Sequence, residues 1–311
     1  MRSNTRRIGQ FEGARKGPLV LVITALHGNE PAGVTALQLV LEALMVEAQV
    51  KGDEFEFYGK IVGYIGNLAA YQDNQRFIER DLNRVWRPDF VAESLQMPYE
   101  NRQAEYRETA DLYETIHAEC ASAESADLIF LDLHTTSAEG GIFSIPTDEH
   151  RSLLLARALG APAIMGLQKS IEGTLLKFAA EGGFSTPTPR CVAFEAGQHE
   201  SPQSVHRAAA AIVRCLRTVG CMGEETLQTW EERSPLPLWP HSPPVLQLRY
   251  VHAIGPDDHF KMRPGYANFQ PIHAGEHLAD DVHGPILSPA QGLILMPLYQ
   301  PKGSDGFFIV E

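Results

Sequence analysis

Between residues 18 and 220 the chain alternates short apolar runs with amphipathic segments, a pattern that fits a layered strand-and-helix fold and little else. Six runs have strand length: 19–25, 55–65, 127–133, 141–145, 162–167 and 190–196. After the first, Val34, Leu37, Leu41, Leu44 and Met45 share one helical face. A second helix is expected over 201–219, with Ser201 as cap and Pro202 in the first turn. The expected class is α/β, a central sheet with helices on its flanks.

The pattern breaks at Ser234, where a proline-rich run over 234–244 cannot continue a helix. Beyond it, short apolar runs (245–251, 268–272, 286–288, 293–298, 307–310) are separated by Gly, Pro and Asp. They read as a small all-β module. The sequence thus divides into an α/β domain, residues 1–235, and a C-terminal β domain, residues 236–311.

A chain of 311 residues with 44% apolar content can bury a substantial core. Its formal charge of −13 disfavours nucleic acid and acidic lipid, both held through basic patches, so a small molecule is the expected partner. The longest apolar runs, such as 19–26, fall far short of the roughly 18 residues that suggest a membrane span. Residues 1–10 carry three arginines without the apolar segment of a secretory signal and read as an exposed tail. Cys120, Cys191, Cys215 and Cys221 match neither a zinc knuckle nor a disulfide framework, so reduced thiols in a cytoplasmic protein are expected.

The first strand ends at His27, Gly28, Asn29 and Glu30. In open α/β sheets ligands gather outside the carboxyl ends of strands, so His27 and Glu30 can both face one crevice. Imidazole and carboxylate are ordinary zinc ligands, and two from one turn plus a distant third leave a position open for water. A His-x-x-Glu turn alone is as readily a surface cap. His134, which ends the run at 127–133, has the topology of the third ligand. Asp132, two residues earlier on the same face, either accepts a hydrogen bond from a ligating histidine or binds backbone at the strand end. Glu195 ends another apolar strand, and a buried carboxylate needs a charged or hydrogen-bonding partner. Proximity to a metal-bound water would supply it and make Glu195 a general base, the alternative being a structural pair with an arginine. Three arginines fall within residues 76–84, on a loop suited to an anionic substrate.

Together these segments resemble the succinylglutamate desuccinylase and aspartoacylase family, a branch of the zinc carboxypeptidase-like hydrolases. The resemblance implies a mixed central sheet flanked by helices and one Zn2+ per chain on His27, Glu30 and His134. It further implies Glu195 as catalytic glutamate, Arg76 as the group that polarises the scissile carbonyl, and Asn83 and Arg84 as substrate-binding residues. The implied reaction is cleavage of the amide bond of a small anionic N-acyl amino acid. Family analogy also suggests a homo-oligomer and a C-terminal module that roofs the site or mediates assembly. The segment after Glu195 departs from the Gly-Pro-rich stretch of aspartoacylases, which leaves the acyl group open. Two other readings stand beside this one, a metallocarboxypeptidase acting on short or modified peptides and a non-catalytic zinc-binding sensor. His273, Glu276 and His277 fit the pattern of inverted zinc proteases, but Pro271 and Gly275 favour a turn over the required helix.

Overall fold

The computed structural model describes residues 4–123, 127–184, 187–227, 244–255 and 257–311. In chain order the first elements are β1 (Arg7–Glu12), β2 (Arg15–Thr24), α1 (Ala32–Lys51), β3 (Tyr58–Ile65), α2 (Leu68–Asp73), α3 (Pro88–Gln96) and α4 (Ala104–Ser122). There follow β4 (Leu128–Thr136), β5 (Phe143–Pro146), α5 (Arg151–Ala158), β6 (Ala163–Met165), α6 (Leu167–Ser170), α7 (Leu175–Ala180), β7 (Arg190–Gln198) and α8 (Pro202–Thr218). The C-terminal part contributes β8 (Val245–Ala253), β9 (Lys261–Met262), β10 (Gln270–Ile272), β11 (His277–Asp281), β12 (Gly284–Leu287), β13 (Gly292–Leu295) and β14 (Asp305–Val310).

One mixed sheet of 11 strands runs in the order β1-β3-β2-β4-β7-β5-β6-β8-β14-β13-β10. Strands β3, β2, β4 and β7 are parallel, and β5 runs antiparallel to β7. The expected α/β class with a mixed central sheet and flanking helices is therefore what forms. The C-terminal part extends this sheet, because β8 pairs in parallel with β6 at Ala163 and Val245. It also forms a separate three-stranded sheet, β12-β11-β9. The domain boundary expected at 235/236 lies outside the described residues.

Alternation along the strands sorts the core into two layers. Val20 and Val22 of β2, Ile129, Leu131 and Leu133 of β4, and Val192 and Phe194 of β7 face α1 and α8. Leu19, Leu21 and Ile23, with Leu128 and Phe130, and Cys191 with Ala193, face the other way. Asp132 and His134 continue that second row on β4, as Glu195 does on β7, so the polar site grows from the end of an apolar face.

Three expectations change. Residues 7–12 are no exposed tail. They form the edge strand β1, antiparallel to β3, and Phe11 meets the rings of Phe55 and Phe57 edge-on. Met45 is 54% exposed, because no residue of α1 beyond Leu44 is buried and its last turns extend past the packed layer. Ser201 occupies the N-cap of α8 without capping it, its hydroxyl donating instead to Gln203. The segment Ala32–Glu54 is long and apolar enough to cross a membrane by composition. Val34, Leu37, Val40, Leu41 and Leu44 are nevertheless buried, which makes it a core helix. All four cysteines are buried and unpaired by disulfide. His273, Glu276 and His277 form the expected turn: Glu276 accepts from the His273 N–H, and His277 turns to Asp280.

Candidate active site

Strand β2 leaves the sheet through Ala25, whose φ of 47° lies in the left-handed region, and Asn67 N–H fixes the turn by donating to the Ala25 carbonyl. His27 and Glu30 follow at once. Gly28 is required between them, because a Cβ there would lie 2.1 Å from the Ala70 carbonyl carbon, and its N–H donates to the Arg76 carbonyl. That bond ties the His27 turn to the arginine-rich loop. The loop itself is gathered by Glu105, buried on α4, which accepts from the N–H groups of Ile78, Glu79 and Arg80.

His27, Glu30 and His134 come together, all buried, with one potential ligand atom from each lying within 4.8 Å of the others. His27 Nδ1 is 2.9 Å from Glu30 Oε1, and His134 Nδ1 is 3.1 Å from Glu30 Oε2. The Thr135 N–H donates to Glu30 Oε2 at 2.9 Å. Each imidazole uses its other nitrogen on a second carboxylate, His27 on Asp81 at 3.1 Å and His134 on Asp132 at 2.8 Å. Of the two readings of Asp132, the contact with a candidate metal-ligating histidine is the one that forms. Carboxylates behind imidazoles are the usual support of a metal site, since they fix the ring and strengthen it as a donor.

Electrostatics follow from this crowding. Burial works to raise the Glu30 carboxyl, but the His27 charge and the hydrogen bonds from both imidazoles hold it well below the ordinary value. Asp81 is likewise pulled down, against its own burial, by His27 and Arg76. Burial works to lower the His134 imidazole, yet the charge and hydrogen bond of Asp132, joined by Glu30, raise it well above normal. Two imidazoles converging on one carboxylate, with further carboxylates behind them, are a donor set suited to a divalent cation. The residues present fit such an ion.

Glu195 faces His134 across the β4–β7 pairing. Its Oε2 is buried with no hydrogen-bond partner among the described residues. Burial pushes this carboxyl up to about 8; the His134 charge opposes the shift, while Glu30 and Asp132 add to it. Among the described residues no arginine is ion-paired with Glu195, so the structural alternative finds no support there.

Arg76 donates to Asp81 Oδ2 at 3.0 Å and lies 3.7 Å from Glu30 Oε1. The Asn83 side-chain oxygen accepts from the Leu175 N–H. Arg84 donates to Asp305 at 2.6 Å. All seven residues singled out in the sequence (His27, Glu30, Arg76, Asn83, Arg84, His134 and Glu195) line one cleft. The sequence reading missed the supporting roles of Asp81 and Glu105 and the contribution of Asp305. Asp81 stands two residues before Asn83 on the arginine-rich loop, which was the available signal. No comparable signal marks Asp305. Residues 296–305 also line the cleft, through Met296, Leu298, Gln300 and Ser304, and Lys302 donates to the Phe77 carbonyl.

The profile of the succinylglutamate desuccinylase/aspartoacylase catalytic domain matches residues 16–218. The chain belongs to that family. A protein of Acaryochloris marina named a probable aspartoacylase is 26% identical over 133 residues, a stretch that spans 42% of this chain and 39% of that relative's length. Among solved structures, the ectoine utilization protein EutE (DoeB) of Ruegeria pomeroyi has a TM-score of 0.62 at 17% identity, covering 97% of this chain and 86% of that one. Succinylglutamate desuccinylase of Vibrio cholerae has a TM-score of 0.63 at 16% identity, covering 96% of this chain and 82% of its own. At such identities the likeness is one of fold. The family is one of hydrolases, and the cleft is where its chemistry would sit.

Proposed function

We propose that this chain is a zinc-dependent amidohydrolase that cleaves a small N-acyl amino acid, with residues 1–235 as the catalytic part and 236–311 as its roof. The observation that carries this reading is the pairing of a three-residue cation site with Glu195, whose buried Oε2 has no hydrogen-bond partner among the described residues, on neighbouring strands. Zinc, held by His27, Glu30 and His134, would supply Lewis-acid polarisation of the scissile carbonyl and a more acidic water.

Glu195 then has two tasks. It takes a proton from the attacking water, whose oxygen bonds to the carbonyl carbon, and passes that proton to the nitrogen as the carbon–nitrogen bond breaks. Burial favours the protonated carboxyl and so suits the donor step, while a bound cation would favour the carboxylate that the first step requires. Arg76, steadied by Asp81, faces the cleft where negative charge develops on the carbonyl oxygen. Asn83 and Arg84 hold the substrate carboxylate.

Metal analysis of purified protein, followed by assay of the metal-loaded form against N-acyl amino acids and C-terminal dipeptides, tests the proposal. Zinc at one ion per chain and hydrolysis of acyl amino acids support it. Activity confined to peptides would favour a carboxypeptidase, and zinc bound without hydrolysis of any amide would favour a sensor.

A further inference from the structure

The cleft differs on the two sides of Glu195. Toward β4 it is built of imidazoles and carboxylates; toward β5 alkyl and aromatic side chains dominate, and the two polar groups among them, Gln168 and Thr174, are hydrogen-bonded to each other at 2.9 Å. Strand register sets the contrast: Asp132 on β4 pairs with Ala193 on β7, which pairs in turn with Ile145 on β5. One step across the sheet therefore replaces a carboxylate with a methyl group, and a second brings a branched alkyl chain. Leu167, Ile171, Leu176 and Phe308 complete the wall. All belong to one buried apolar cluster, within which even Ile171 is only 9% exposed.

The cations of the cleft do not favour a second acidic group. Its lining holds two arginines and no lysine among the described residues. Arg76 is paired with Asp81 at 3.0 Å, and Arg84 with Asp305 at 2.6 Å. A carboxylate pressed against the Ile145 wall would lose its water without gaining a counter-ion, a costly burial.

We infer that the substrate carries, beside its one carboxylate, an uncharged apolar substituent, an alkyl chain longer than acetyl or an aromatic ring, seated against Ile145, Leu167, Ile171, Leu176 and Phe308. The inference rests on the amide-hydrolase reading and names its substrate class. The apolar group belongs either to the acyl half or to the amino-acid side chain, and matched ligands separate the two.

Calorimetric titration of metal-loaded Glu195→Gln protein would use two pairs: N-hexanoylglycine against N-succinylglycine, and N-acetylnorleucine against N-acetylaspartate. In at least one pair the apolar ligand should bind about tenfold or more tightly than its dicarboxylate partner, a range typical of pocket discrimination. The pair that responds identifies the half that meets the wall. Ile171→Asp, and the milder Ile145→Ala should the first fail to fold, should cut that ratio by about tenfold. Equal or tighter binding of both dicarboxylates, no binding of either apolar ligand, or a ratio that survives the folded variant overturns the inference. Turnover of the same four compounds by the unsubstituted protein distinguishes the two levels. Apolar ligands that bind while no amide is hydrolysed sink the hydrolase reading and leave the wall standing; preferred hydrolysis of the dicarboxylates does the reverse.

Discussion

Arg84 donates to Asp305 at 2.6 Å, an ion pair that joins positions 221 residues apart and ties the strand β14 to the loop beside the candidate metal ligands. Both side chains are largely withdrawn from solvent, so the pair is screened less than a surface contact. On the proposed reading, it sets where the Arg84 guanidinium would meet a substrate carboxylate. Asp305→Asn should raise KM by about tenfold with a smaller change in kcat, the mark of lost positioning of a binding group. Steady-state kinetics check this, and a fall in kcat at constant KM would assign the pair a different role.

Glu195→Gln keeps the shape of the carboxyl group and removes its proton chemistry. Loss of a general acid and base costs on the order of 10²- to 10⁴-fold, so kcat should fall at least that far. Metal content should not change, because Glu195 lies outside the His27, Glu30 and His134 group. Elemental analysis beside single-turnover assays tests both halves. Lost metal would make Glu195 a ligand, and retained activity would remove it from the mechanism.

Asp132 makes one side-chain contact that matters here, 2.8 Å to His134 Nε2. Asp132→Asn should weaken metal binding by about 10- to 100-fold, as expected when a carboxylate behind a ligating histidine is neutralised. Competition with a chromophoric chelator would measure it. An unchanged affinity would mean that the His134 ring is held by packing alone.

How much of this was legible in the sequence depends on the length scale of each interaction. His27, Glu30 and His134 stood out because strand ends are marked by the close of an apolar run. Glu195 was legible as a charge inside such a run. The supports were not. Glu105 acts on a loop 25 to 27 positions earlier, and Asp305 on Arg84 across most of the chain, so only tertiary closure reveals them. Strand β1 was hidden for another reason. A register shift between Arg7 and Gly9 breaks its two-residue period, and Ile8 and Phe11, three apart, both pack on the same core.

Glu119, on α4 and outside the lining of the cleft, reaches the strands β1 and β3 and predicts how stability depends on pH. Its carboxylate accepts from Lys60 at 2.8 Å and from the Tyr64 hydroxyl at 2.7 Å. Burial works to raise its pKa, but these two bonds and the charges of Lys60 and Arg7 hold it below the usual 4.5. A carboxyl depressed in the folded state contributes stability that is fully present above its unfolded value and is lost as pH falls through the folded one. Because the group is only partly buried, screening holds the contribution to about 1 kcal/mol or less. Glu119→Gln should therefore lower Tm at pH 7, and the gap to the unsubstituted protein should narrow steadily below about pH 4.5. Thermal melts across that range measure the gap. A difference that stays constant with pH would show that the hydrogen bonds, and not the charge, carry the effect.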